Sequence, residues 1–207
     1  MITDSHIYDR APERIEALKR SLKIAIESDQ IVLCGDNIEC HEYFYLLKEC
    51  VWDKYPKTIC VLGNHEEFYG DQNKNRKFID ENWHHDTKYI SRLLKGNVLI
   101  VGMDDGQGYF NKQQIKKLSI DIKNAKKNGY TVIIFQHISF KGLREITEEN
   151  LEMLDLVNSN SDVIKGVFSG HSHSDSVSFL ESGIPCYTLK SNNDPEFDGV
   201  VLKIIVD

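Results

Sequence analysis

No uninterrupted apolar stretch in this sequence approaches the roughly 18 residues needed to cross a bilayer. The opening Met1-Ile2-Thr3-Asp4 lacks the basic segment and apolar run of a secretory leader. These absences exclude the membrane and secreted classes as working expectations and point to the cytoplasm. Positive charge is also in short supply: 25 Lys and Arg stand against 32 Asp and Glu, a formal net charge of −7. A protein that grips many backbone phosphates carries a net positive face, so duplex nucleic acid is disfavoured as a partner. The five cysteines (Cys34, Cys40, Cys50, Cys60, Cys186) are odd in number and include no C-x-x-C pair. That spacing offers neither a disulfide framework nor a thiolate zinc knuckle, and free thiols in a reducing compartment are expected. There is no internal repeat, low-complexity tract or Pro/Gly/Ser-rich linker. What remains is a chain of 207 residues, 41% apolar and 28% charged, read as a single soluble domain over 1–207. Nothing in it fixes the oligomeric state.

The chain alternates strand and helix signals. Gln30–Cys34, Thr58–Leu62, Val98–Val101, Thr131–Phe135 and Val163–Phe168 are short apolar runs rich in β-branched residues, as strands buried on both faces require. Between them, Ile15, Leu18, Leu22, Ala25 and Ile26 keep helical spacing behind Pro12. Ile115, Leu118, Ile122 and Ala125 form a second stripe closed by Gly129, and Leu151, Leu154 and Val157 a third. Glu39 to Trp52 is expected to be one more helix, stopped by Pro56. After Phe168 only strand signals follow: Val177–Leu180, Pro185–Leu189 and Gly199–Val206. The fold class is α/β with a β-rich last third.

Polar residues fall at the ends of these runs. Asp4 and His6 follow the opening residues, and Gly35-Asp36 follows the run ending at Cys34. Gly63-Asn64-His65-Glu66, Gln136-His137 and Gly170-His171-Ser172-His173 follow the later runs in the same way. Carboxyl ends of parallel strands share one edge, where ligand sites form, so five clusters converge on one rim. Five of the 8 histidines belong to these clusters; His41, His84 and His85 do not. Imidazole, carboxylate and amide together suit divalent metals from Mn to Zn. The donors are too many for one tetrahedral ion and about enough for two ions sharing a carboxylate, the arrangement that clamps an in-line displacement.

These motifs, D-x-H, GD, GNHE, a lone His and GHSH in this order, resemble the calcineurin-like metallophosphoesterase superfamily from Asp4 to His173. The resemblance implies a β-sandwich flanked by helices, four layers in the order αββα, with the metal centre at one edge. It implies that Asp4, His6 and His173 hold one divalent ion, that Asn64, His137 and His171 hold the other, and that Asp36 bridges them. A hydroxide would span the pair as nucleophile, and His65 would face the leaving-group oxygen as general acid, a task suited to imidazole at neutral pH. Glu39, three positions after the bridging Asp and one methylene longer than the usual Asp, would orient His65. Mn²⁺ is the first expectation for the ions, with Fe, Zn, Ni and Co as other candidates. The implied substrate is a small phosphate ester, and a small-molecule or nucleotide diester leads over a monoester or a phosphoprotein. A non-catalytic scaffold on the same fold is the competing class, and such scaffolds typically lose ligands that are all present here.

Three departures from the family pattern stand out. Only Met1, Ile2 and Thr3 precede Asp4, about 10 Å of extended chain, so the first strand is unusually short. Gly35-Asp36-Asn37-Ile38-Glu39 lacks the D-R-G that follows GD in protein phosphatases, which removes a phosphate clamp. Gln136 stands where Gly or Asn is more common. Arg10, after the first motif, and Arg76, after GNHE, are candidates to contact substrate phosphate, against the reading of each as a solvated surface arginine. The lysines at 112, 116, 117, 123, 126 and 127 read as the solvated face of a helix. Asp104-Asp105-Gly106 and Asn192-Asn193-Asp194 read as turns. His84 and His85 read as exposed, and Phe68, Tyr69, Trp83, Tyr109 and Phe110 as packing residues near the motif edges.

Overall fold

A computed structural model describes residues 1–68, 72–83, 86–143, 146–193 and 199–206; of Phe68 only the backbone is described. His84, His85, Tyr69 and Asp194 lie outside the described residues. The elements in chain order are α1 (Pro12–Ala25), β1 (Val32–Cys34), α2 (Phe44–Leu47), β2 (Ile59–Val61), α3 (Asn64–Phe68), α4 (Gln72–Asn82), β3 (Tyr89–Leu93) and β4 (Val98–Met103). They continue with α5 (Lys112–Asn128), β5 (Thr131–Gln136), α6 (Glu148–Asn158), β6 (Ile164–Ser169), β7 (Ser176–Phe179) and β8 (Pro185–Thr188).

Two sheets stack face to face. The larger has six strands in the order β3-β4-β5-β6-β8-β7, parallel in the middle and antiparallel at both edges. The smaller pairs β1 and β2 in parallel, and Ile2 adds a bridge to Leu33. Val32, Cys34, Ile59 and Val61 of the small sheet meet Ile100, Ile133, Phe135 and Phe168 of the large one. The outer face of the large sheet is covered by α5 and α6 through Ile115, Leu118, Ile122, Met153 and Val157. The outer face of the small sheet is covered by Leu18 and Leu22 of α1 and by Leu47, Val51, Trp52 and Trp83. Every strand residue of β1, β2 and β4 is buried, which is why those runs are apolar without alternation. The four layers are those the motif resemblance implies.

Local signals act as expected in α1 and α5. Pro12 opens α1. Asn111 and Gln114 form a reciprocal capping box at the start of α5, and Gly129 ends it at φ 70°, a left-handed turn that glycine enters without a Cβ penalty. The lysine face of α5 is solvated and meets acids: Lys117 lies 2.7 Å from Asp86 and Lys126 3.1 Å from Asp162. All five cysteines are free.

Other expectations need correction. Glu39–Trp52 is not one helix: a 3₁₀ turn (His41–Tyr43), α2 and a π-helical turn (Lys48–Trp52) follow one another. The Asp53 N–H reaches Lys48 O at 3.0 Å, and this wider turn lets the successive residues Cys50, Val51 and Trp52 all bury. Gly199–Val206 forms no strand. It is tied to the chain start by Leu202 N–H to Met1 O at 3.0 Å and by the Met1 amine to Leu202 O at 2.7 Å. The segment it meets turns away into Asp4 too soon to build a ladder. Neither α4 nor β3 was legible, because α4 contributes only Asn75 and Ile79 to the interior and β3 buries only its first two residues.

Candidate metal centre

The five polar clusters gather at one end of the sandwich, supplied by both sheets rather than by the rim of a single open sheet. The segment Met1–Ile7 is too short for a strand of its own but runs beside β1 and the loop after it. Asp4 N–H donates to Gly35 O at 3.0 Å, His6 N–H to Asp36 O at 2.9 Å and Ile7 N–H to Asn37 O at 3.1 Å. The chain's last motif is then drawn to its first: Asp4 accepts the His171 N–H at 3.2 and 3.0 Å through its two oxygens. Asp36 Oδ1 accepts the His65 N–H at 2.8 Å, which seats the first turn of α3.

Backbone strain is concentrated here. Six described non-glycine residues have positive φ, and five of them are Asp4, His6, Asp36, His171 and His173. Such conformations cost L-residues on the order of 1–3 kcal/mol each and persist where the surroundings over-determine them. Gly35 (φ 86°) and Gly170 make the close packing possible. A Cβ at Gly35 would sit 2.2 Å from His137 Nδ1, and one at Gly170 would sit 2.0 Å from Thr3 Oγ1 and 2.3 Å from Asp4 Oδ2.

The side chains converge in two overlapping groups. In one, His173 Nε2 is 3.2 Å and His6 Nε2 3.9 Å from Asp4 Oδ1, and the two Nε2 atoms are 3.3 Å apart. In the other, His137 Nε2 is 3.2 Å from both Asp36 Oδ2 and Asn64 Oδ1, with the His171 ring edge-on to His137 at 5.1 Å. Asp36 belongs to both, since its Oδ2 also lies 3.8 Å from His6 Nε2. Asp4 with His6 and His173, and Asp36 with His137 and His171, each present ligand atoms within 4.8 Å of one another. His65 Nε2 stands 4.0 Å from the same Asp36 oxygen and closes a third such group with His6.

Asp4 and Asp36 are buried here, and hydrogen bonds and neighbouring imidazoles compensate their charge. Burial raises the pKa of Asp36, but His137, His6 and His65 outweigh it and hold the carboxyl well below the usual range. Burial likewise opposes ionisation of Asp4, and the hydrogen bond from His173 and the charge of His137 reverse that. Burial pushes His6 down to about 4, leaving a neutral imidazole with a lone pair to offer. His137 Nδ1 faces Cys34 O at 3.0 Å, which turns Nε2 toward Asp36. A fixed Nδ1–H with a free Nε2 is the tautomer that metal-ligating histidines use. Ionised carboxylates, imidazole nitrogens and an amide oxygen, converging in one cluster, fit a pair of divalent first-row ions.

Two acids outside the ligand set build the scaffold, and the sequence reading missed the role of both. Glu66 of the GNHE motif is fully buried and accepts backbone N–H groups from Asn37 at 2.6 Å, Gly63 at 2.7 Å, Asp36 at 3.2 Å and Ile38 at 3.3 Å. Burial, followed by the Asp36 charge, pushes its pKa up to about 7 against those donors. Asp105, expected to be an ordinary turn residue, is also fully buried; it accepts the His137 N–H at 2.8 Å and the Ile138 N–H at 2.9 Å. Asn192, from the other expected turn, is buried and accepts from Ser21 at 2.6 Å and Val200 at 2.9 Å. The signal for Glu66 lay in its motif position; none marked Asp105.

Glu39 is brought to the cluster. Its Oε1 lies 3.6 Å from His65 Nδ1 and its Oε2 3.4 Å from His6 Nδ1. Arg76 is not. Arg10 is exposed in the turn before α1. Arg76 pairs with Glu67, with Asp104 at 2.7 Å and with Asp80 at 3.4 Å. Of the aromatics, Trp83 and Phe110 are buried and Tyr109 is exposed.

A family model for the calcineurin-like phosphoesterases matches residues 1–175. No curated protein matches the chain significantly. Among solved structures, a dimetal phosphatase from Danio rerio superposes with a TM-score of 0.69 at 14% identity, covering 92% of this chain and 86% of that one. GAP50, the anchor in the inner membrane complex of Plasmodium, gives 0.60 at 14% identity over 98% and 74%. A putative 5′-nucleotidase from Staphylococcus aureus gives 0.50 at 14% identity, covering 86% of this chain but 43% of its own length. At these identities the likeness is one of fold.

Proposed function

Since the chain belongs to the calcineurin-like phosphoesterase family and is thus a metal-dependent phosphoester hydrolase, we propose that it cleaves a small phosphodiester, with a nucleotide-type diester as the leading class. The observation that carries the diester is the engagement of its arginines. Arg76 is already paired with three carboxylates, Arg14 beside the cluster is engaged by Glu39, and Arg10 is exposed in the turn before α1. A dianionic monoester needs more fixed positive charge around its phosphoryl group than a monoanionic diester does. The same fold serves as an anchor in Plasmodium, so the fold alone does not select an enzyme; the complete donor set with His65 beside it supports one.

Asp4, His6 and His173 would hold one ion and Asn64, His137 and His171 the other, with Asp36 shared. When bound, two such ions supply Lewis acidity that activates water and offsets charge on the phosphoryl oxygens; Mn²⁺ is our first choice. The protein's own part is orientation and proton transfer. His65, on the first turn of α3, protonates the departing ester oxygen. Glu39 faces its Nδ1 and so aims Nε2 inward. A cytoplasmic place of work is part of the same proposal. Among the described residues no helix is long and apolar enough to cross a membrane.

Protein stripped of metal and resupplied with Mn²⁺ should hydrolyse bis-p-nitrophenyl phosphate faster than p-nitrophenyl phosphate. The opposite preference would overturn the diester assignment, and no rescue on either substrate would overturn hydrolysis.

A further inference from the structure

Arg14, on the first turn of α1, stands beside the cluster although no motif includes it. Its Nη1 donates to His6 O at 3.1 Å and to Glu39 Oε2 at 3.4 Å, and its guanidinium lies over the Tyr8 ring at 5.2 Å from the centroid. Three contacts of different kinds therefore fix one planar group: a backbone carbonyl, a carboxylate and an aromatic face. The carboxylate it holds is the one that straddles two imidazoles. Glu39 presents Oε1 to His65 Nδ1 at 3.6 Å and Oε2 to His6 Nδ1 at 3.4 Å. The two rings meet edge to face, 4.4 Å between centroids.

We propose that Arg14 is a positioning residue that locks Glu39 across His6 and His65, so that one carboxylate sets both a metal ligand and the general acid. This rests on the hydrolase reading above. The extra methylene of Glu39 is what gives the carboxylate its reach. Both rings present Nδ1 to Glu39 and Nε2 to Asp36 Oδ2, at 3.8 Å for His6 and 4.0 Å for His65. Rotation of the carboxylate would release both rings together. Its side chain is 27% exposed, so without a partner it would be free to turn toward water. Arg14 removes that freedom. It also clamps the His6 carbonyl, at a residue whose φ of 43° is strained. The ion pair is partly exposed, so its importance lies in geometry rather than in net stability.

The test compares Arg14→Ala, Arg14→Lys and Glu39→Gln. In zinc-loaded protein, which is diamagnetic, the ring ¹⁵N resonances of His6 and His65 should both move in Arg14→Ala and return toward wild type in Arg14→Lys. On Mn²⁺-loaded protein, Arg14→Ala should lose roughly tenfold in kcat on a phenyl diester but no more than about threefold on the p-nitrophenyl diester, because only the poorer leaving group depends on the proton. Unmoved histidine resonances, or an equal loss on both esters, would overturn the proposal. If Arg14→Ala does not fold, Glu39→Gln carries the same comparison, with Arg14→Lys as the reference expected near wild type. A wild-type protein without turnover would instead count against the hydrolase reading, while the histidine resonances would still decide the positioning role.

Discussion

The Glu66 carboxylate accepts the Asn37 backbone N–H at 2.6 Å and, from the other side, the Gly63 N–H at 2.7 Å. One buried side chain thus ties the loop after β1, which carries Asp36, to the loop after β2, which leads into Asn64 at the start of α3. Replacing it by an amide turns two of its acceptor sites into donors that face other donors. Glu66→Gln should lower stability by about 2–3 kcal/mol and weaken metal binding, read by urea unfolding and by competition with a chelator. Unchanged unfolding would mean that these loops are held by something else.

Removal of the His65 ring addresses the proton. His65→Asn should reduce kcat by roughly 10²–10⁴ and leave two metal ions per chain by elemental analysis. Because His65 also lies within reach of the Asp36 oxygen, loss of an ion in this variant would reassign it as a ligand.

Gly35 has no room for a methyl group. With φ at 86° and a Cβ 2.2 Å from the His137 ring, Gly35→Ala should either displace that imidazole or fail to fold. Soluble protein with wild-type metal content would contradict the packing described here.

Chelation should destabilise the fold. The five candidate ligands with positive φ and the buried Asp4 and Asp36 would gain from bound cations, and binding to the folded state alone contributes about 2.7 kcal/mol at a free metal concentration 100 times Kd. EDTA should therefore lower the melting temperature, and Mn²⁺ should restore it in a concentration-dependent way. A melting temperature indifferent to both would show that the cluster does not hold metal.

Thiol labelling tests the burial pattern. Cys34, Cys50, Cys60 and Cys186 are buried and Cys40 is partly exposed. One thiol per chain should react with a neutral disulfide reagent in native protein and five after unfolding, with Cys40 carrying the native label by mass spectrometry. Fast native labelling of Cys34 or Cys60 would contradict the packing between the sheets and beneath β2.

Sequence alone grouped the candidate ligands, because their motifs follow apolar runs whose carboxyl ends fall together; which of them would share an ion came only from the family resemblance. Asp4, Asp36, His137 and His171 could be grouped on that basis before any coordinates. The strands themselves were legible where burial on both faces left no polar residue, as in β1, β2 and β4. α4 and β3 were not, since each buries too few side chains to print a period. Tertiary structure decided what lies between the motifs. Glu66 and Asp105 act through backbone N–H groups, which carry no sequence signature at the residues they hold. Arg76 goes to Glu67 and Asp104 instead of the cluster because those acids, nine and 28 positions away, meet it only after folding. Arg14 reaches Glu39 for the same reason: α1 packs its apolar face on the small sheet, and that packing alone brings the first turn of α1 to the cluster.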